Sequence, residues 1–112
     1  MKITLIGNKR AILVQPDCEL DHHIAAVLRE KIDSKIRTTN AIHVIFDFTG
    51  VGFMDSSGIG VIMGRYNTVK ALGGKILLFG LCPQVERIIR MSGIGKIVSI
   101  AEDYKQATNQ IS

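Results

Sequence analysis

Apolar positions along this chain switch repeatedly between the period of a strand and the period of a helix. Ile3 to Ile6 and Ala11 to Val14 are short apolar runs around Gly7-Asn8-Lys9-Arg10, which predicts an opening β-hairpin. Pro16 ends its second strand. After the polar loop Asp17-Cys18-Glu19-Leu20-Asp21, residues Ile24, Val27, Leu28, Ile32 and Ile36 recur at helical spacing, with Asp21 placed to cap the helix. Thr38-Thr39-Asn40 then releases the chain into Ile42, Val44, Ile45, Phe46 and Phe48, a β-branched and aromatic run suited to a buried strand. The stretch Phe53-Met54-Asp55-Ser56-Ser57-Gly58-Ile59-Gly60 opens a second helix over 57–72. Its Ile59, Ile62, Tyr66 and Val69 share one face, and Gly73-Gly74 supplies a left-handed stop. A short buried strand over 75–80 follows. Pro83 starts a third helix with Val85, Ile88 and Ile89 inward, closed by Ser92-Gly93. Residues 96–100 read as a last strand, and 103–111 as a terminal helix with Tyr104, Ala107 and Ile111 on its apolar side.

This order, β-β-α-β-α-β-α-β-α, predicts an α/β fold with a mainly parallel sheet, an antiparallel first strand and four helices, since repeated βα units impose right-handed crossovers. The 112 residues fit one domain over 1–112 and leave no room for a second comparable core. No run approaches the ~20 apolar residues of a membrane span, and the apolar start is too short for a signal peptide. Two cysteines, Cys18 and Cys82, far apart and outside any C-x-x-C pattern, give no disulfide framework; a cytoplasmic protein is expected. The net charge of +4 is dispersed and aromatics are 5%, so neither a basic run nor a base-stacking platform points to nucleic acid.

Candidate chemistry thins out quickly. Gly58, Gly60 and Gly64 miss the dinucleotide fingerprint because its third glycine position is Met63, and the strand ending at Gly80 lacks the acid that holds a ribose. Those glycines instead permit close approach of the helix to the sheet or to a partner. Met54 and Ser56 stand where a serine hydrolase elbow needs glycines. His22 and His23 diverge by roughly 100° on a helix and cannot share a metal, and the acidic residues Asp17, Glu19 and Asp21 read as a solvated loop. Neither a catalytic constellation nor a cofactor is therefore expected. Ser56 falls at or next to a helix N-cap, where its hydroxyl can accept from first-turn amides and a phosphate would meet the same donors. Capping accounts for one serine; the small apolar rim of Gly52, Phe53, Met54, Gly58 and Ile59 suits a surface that docks.

Taken together, Glu19-Leu20-Asp21-His22-His23, the stretch from Phe53 to Gly58, Gly60-Val61-Ile62, Gly64-Arg65-Tyr66, Gly73-Gly74 and Met91-Ser92-Gly93 resemble the anti-sigma factor antagonists of the STAS family, the sporulation type above all. The resemblance spans nearly the whole chain. It implies a small α/β domain without catalysis of its own that binds an anti-sigma factor, itself an ATP-dependent serine kinase holding ATP or ADP, and so frees a sigma factor. It also implies phosphorylation of the serine after the Asp of D-S-S-G, which is Ser56, and its reversal by a PP2C-type phosphatase. Asp21 corresponds to a partner-contacting position, and Met54, Asp55, Ser57, Gly58 and Ile59 lie beside the phosphorylation site. Cys18 stands where the family usually has glycine, which predicts a more restricted Asp21 loop. The rival expectations are a STAS domain of a general stress circuit and, from another class, a small nucleotide-binding enzyme.

Overall fold

The computed structural model describes residues 1–111. Its strands are β1 (Lys2–Ile6), β2 (Ala11–Gln15), β3 (His43–Asp47), β4 (Ile76–Phe79) and β5 (Ser99–Ile100). The helices α1 (His22–Thr39), α2 (Ser56–Ala71) and α3 (Pro83–Ser92) connect successive strands, and α4 (Tyr104–Asn109) follows the last. The sheet order is β1-β2-β3-β4-β5, with β1 antiparallel to β2 and every later pair parallel. Right-handed crossovers between neighbouring parallel strands put α1, α2 and α3 on one face. There Leu28, Ile32, Ile62, Val85 and Ile89 pack on Ile12, Val44, Phe46 and Leu78. The opposite face, with Ala11, Ile45, Leu77 and Phe79, is covered by Ala107 and Ile111. Both central strands are thus buried on both sides, which is why their sequences run apolar without alternation.

Three details depart from the apolar pattern. The inward stripe of α1 is Ala25, Leu28, Ile32 and Ile36, while Val27 is 46% exposed. On α2 the buried positions are Gly58, Val61, Ile62, Arg65 and Val69, so Ile59 and Tyr66 are only half-buried. Arg65 is drawn inward by Asp33 of α1, whose Oδ1 lies 3.0 Å from its Nε. The last strand shrinks to two residues because Gly93 (φ 79°) and a single 3-10 turn over Ile94–Lys96 consume the segment before it.

The start of β3 carries a pH-sensitive contact. The His43 Nδ1 accepts from the Lys75 backbone N–H at 2.9 Å, which requires a neutral ring. Partial burial, then the cations Lys75 and Arg10, hold the imidazole below its ordinary value of 6.5. A folded-state value below the unfolded one means that the unfolded chain binds more protons as the solution acidifies. Stability from this group is therefore present above pH 6.5 and declines as pH falls toward the lowered folded value. Thermal unfolding measured across this interval is expected to show a midpoint that falls with pH, with a shallower fall in His43→Asn.

Candidate functional site

The loops that leave β2 and β3 meet at the carboxyl end of the sheet. Leu20 and Met54 form an isolated parallel bridge there. The Leu20 N–H donates to the Phe53 carbonyl at 3.0 Å, and the Asp55 N–H donates to the Leu20 carbonyl at 3.3 Å. Both bridging side chains are buried, Leu20 at 1% and Met54 at 0% exposure, so the junction is anchored in the core. The next residue on each segment is an aspartate that caps a helix. Asp21 Oδ1 accepts from the Ile24 N–H at 3.0 Å, and Asp55 Oδ1 accepts from the Ser57 N–H at 2.8 Å. Two sequence motifs more than thirty residues apart thereby place two carboxylates and two helix N-termini at one spot.

Ser56 is the first residue of α2 and is exposed, and its hydroxyl has no hydrogen-bond partner among the described residues. The capping role expected of it belongs to Asp55, because the carboxylate one residue earlier already reaches the first-turn amide. Capping therefore does not account for Ser56. Ser57 and Ile59 are half-buried beside it, and Phe53, at 39% exposure, supplies the apolar part of the rim with Gly52.

Two of the residues expected at a partner surface lie elsewhere. Met54 is wholly buried and cannot touch a partner; it supports the loop from beneath. Gly58 is buried against it, and a Cβ at Gly58 would sit 2.4 Å from the Met54 Cγ. Gly58 thus does permit close packing, whereas Gly60 and Gly64 face open space and are not required by the sheet. Cys18 introduces no strain, because Arg10 and Asn40 are the non-glycine residues with positive φ among those described. The Asp21 loop therefore accepts a side chain at that position without a left-handed backbone.

Sequence reasoning missed the contribution of α3. The Gln84 Oε1 accepts from the Met54 N–H at 3.4 Å, and the Cys82 thiol lies 3.5 Å from the Val51 carbonyl. Only Pro83 signalled a helix start here; nothing in the pattern reveals that its first turn touches the Ser56 loop. Two carboxylates stand at this junction, Asp55 and Asp21 at the caps; in the loop before α1, Glu19 is exposed and Asp17 is paired with the N-terminal ammonium at 2.6 Å. His22 and His23 are exposed, with ring centroids 5.9 Å apart in an edge arrangement. No helix among the described residues is long and apolar enough to cross a membrane.

This architecture is that of a STAS domain, whose family model matches residues 2–107; the chain belongs to that family. The chain is 32% identical over 111 residues to the anti-sigma F factor antagonist of Paenibacillus polymyxa, covering 99% of this chain and 95% of that protein. It is 31% identical over 94 residues to the anti-sigma-B factor antagonist of Bacillus subtilis strain 168, covering 84% of each. Among solved structures, it superposes on the anti-sigma factor antagonist SpoIIAA in its unphosphorylated form with a TM-score of 0.86 at 27% identity, over 98% of this chain and 94% of that one. The phosphorylated form of SpoIIAA, described as a Bacillus cell-fate determinant, matches with a TM-score of 0.76 at 26% identity over 99% and 98% of the two chains.

Proposed function

We propose that this protein is an anti-sigma factor antagonist. Unphosphorylated, it docks on an anti-sigma factor that is also a serine kinase, in an ATP- or ADP-bound state, and displaces the sigma factor held there. Phosphorylation of Ser56 ends the docking, and a PP2C-type phosphatase restores it. The chain performs no catalysis, needs no cofactor and acts in the cytoplasm without contacting nucleic acid or membrane. The observation that carries this reading is the exposed Ser56 hydroxyl, unpartnered among the described residues, at the head of α2 directly after its capping aspartate. The partner contacts assigned are Asp21, Asp55, Ser57 and Ile59, with Phe53 added from its exposure.

The switch follows from charge and desolvation. A phosphate adds roughly −1.5 to −2 charges next to Asp55 and Asp21. At a helix N-terminus it costs the fold little, because the helix dipole favours negative charge there. Against a partner surface fitted to Phe53 and Ile59, the same charge must be stripped of water without a counter-ion, at a cost of several kcal/mol. The direct test adds the protein to a preformed complex of its anti-sigma factor and sigma factor. Release of sigma by the unphosphorylated protein is expected, and none by the phosphorylated protein. Failure of the unphosphorylated protein to release sigma or to bind its anti-sigma factor would refute the proposal.

The similarity to antagonists of both sigma F and sigma B keeps a second circuit in view, that of general stress. Genes adjacent to this one, encoding a kinase-like anti-sigma factor and its sigma factor, decide between the two.

Asp21 has two separable duties. Asp21→Ala removes the α1 cap and is expected to cost about 1 kcal/mol. Asp21→Asn keeps an oxygen for the Ile24 N–H but loses the charge. The asparagine variant is expected to melt within a few degrees of the parent while binding its anti-sigma factor more weakly, as measured by calorimetric titration. Parent-like affinity in that variant would make Asp21 a cap only.

A further inference from the structure

At the end of the fold opposite Ser56, a cavity of about 670 Å³ opens where α1 and α2 finish. It falls within the roughly 300–1,000 Å³ of small-ligand sites. The floor is aliphatic, made by Ile36, Ala41, Ile42 and Leu72, the last of them 48% exposed. At its rim stand Arg10, from the turn between β1 and β2, and Arg37, from the last turn of α1. No Asp or Glu among the described residues lines it. Neither arginine has a carboxylate partner among the described residues; Arg10 donates to the Asn40 carbonyl, at 3.5 Å. Arg10 is also held in left-handed backbone (φ 52°), a conformation that costs a non-glycine residue free energy. Asn40, the other left-handed non-glycine residue among those described, lines the same cavity.

Two guanidinium groups without carboxylate partners, over a hydrocarbon floor, fit a ligand with an anionic head and an aliphatic body. Among the described residues the lining carries no aromatic ring on which a base could stack, which disfavours a nucleotide. An arginine pairs with a carboxylate through two parallel hydrogen bonds. We propose that this cavity binds a small amphiphilic carboxylate of the fatty-acid class, with Arg10 and Arg37 on the carboxylate and Ile36, Ile42 and Leu72 along the chain. The site lies the length of α2 away from Ser56, about 24 Å at the usual helical rise, so its occupation leaves the docking end open. It is independent of the function proposed above.

The test uses octanoate and decanoate, below their micelle concentrations, followed by amide chemical shifts of the isotope-labelled full chain. Saturable shifts confined to residues of the cavity are expected. Each added methylene should tighten binding about threefold to fourfold, so that decanoate binds roughly tenfold better than octanoate. Decylamine, of equal chain length and opposite charge, should leave these amides unmoved. The double variant R10Q/R37Q should lose the response to decanoate while retaining the parent's spectrum elsewhere, and if it does not fold, Arg37→Gln alone should weaken binding. Absence of saturable shifts, equal binding of decylamine, or a response only to an acidic peptide such as oligoglutamate would each overturn the proposal.

Discussion

Ser56→Asp is expected to bind the anti-sigma factor more than a hundredfold more weakly than the parent while unfolding at nearly the same temperature. The two halves of this expectation have separate causes. Ser56 is exposed at the first position of α2, so a carboxylate there displaces nothing from the core. An acid in the first turn is neutral to stabilising, by about 0.3–1 kcal/mol. At the interface the added charge sits next to the Asp55 carboxylate and must be desolvated against the partner. A loss of ~3 kcal/mol there is already more than a hundredfold in affinity. Ser56→Ala, by contrast, keeps the small neutral surface and should remain bound to the kinase, driving constitutive release of sigma. Calorimetric titration with the anti-sigma factor, paired with thermal melts, reads both variants. Full-strength binding by Ser56→Asp would show that charge at this position does not operate the switch.

The largest effect on stability is expected from Gly74→Ala. A Cβ at this position would lie 1.6 Å from the Ile42 carbonyl oxygen and 2.5 Å from its carbon. Those are backbone atoms, and no side chain can move aside to relieve the clash. Either the start of β3 or the turn into β4 must shift. That shift breaks the Val44 N–H bond to the Lys75 carbonyl (3.1 Å) and the Lys75 N–H bond to His43 (2.9 Å). A loss of about 4 kcal/mol is expected, in the large-effect tail to which overpacking against fixed backbone belongs. Neighbouring Gly73 is the control. It is left-handed (φ 81°), and a Cβ added there would meet nothing within 4 Å, so Gly73→Ala should cost only the ~1–2 kcal/mol of a strained backbone. Denaturant unfolding of the pair checks the order; equal losses would contradict it.

These two glycines show what a sequence does and does not disclose. The pair is legible as a helix stop because a left-handed residue there follows a local rule. Only Gly73 obeys that rule; Gly74 is demanded by a strand more than thirty residues earlier, a contact that no local pattern carries. The same division runs through the site. The α/β order, the mixed sheet, the two helix starts and the Asp21 cap are all readable, since periodicity and capping are local. That Asp55 and not Ser56 caps α2 turns on one residue of register, within the usual uncertainty of helix ends. Met54 looks like rim because it sits in an exposed-looking loop, yet its bridge to Leu20 drives it into the core. Nothing in the local pattern marks Arg65 as inward, yet it is 6% exposed, because Asp33 of α1 pairs with it across the two helices. Gln84 is invisible for the same reason: its partner, the Met54 amide, comes from another part of the chain.

In the proposed switch, the exposed hydroxyl heading α2 is the atom the kinase modifies. Incubation of the full chain with its anti-sigma factor and ATP, followed by peptide mass spectrometry, addresses it most directly. A single phosphate on Ser56, absent from the Ser56→Ala protein, is the predicted result. A phosphate found on Ser57 alone, or none at all despite an active kinase, would contradict it.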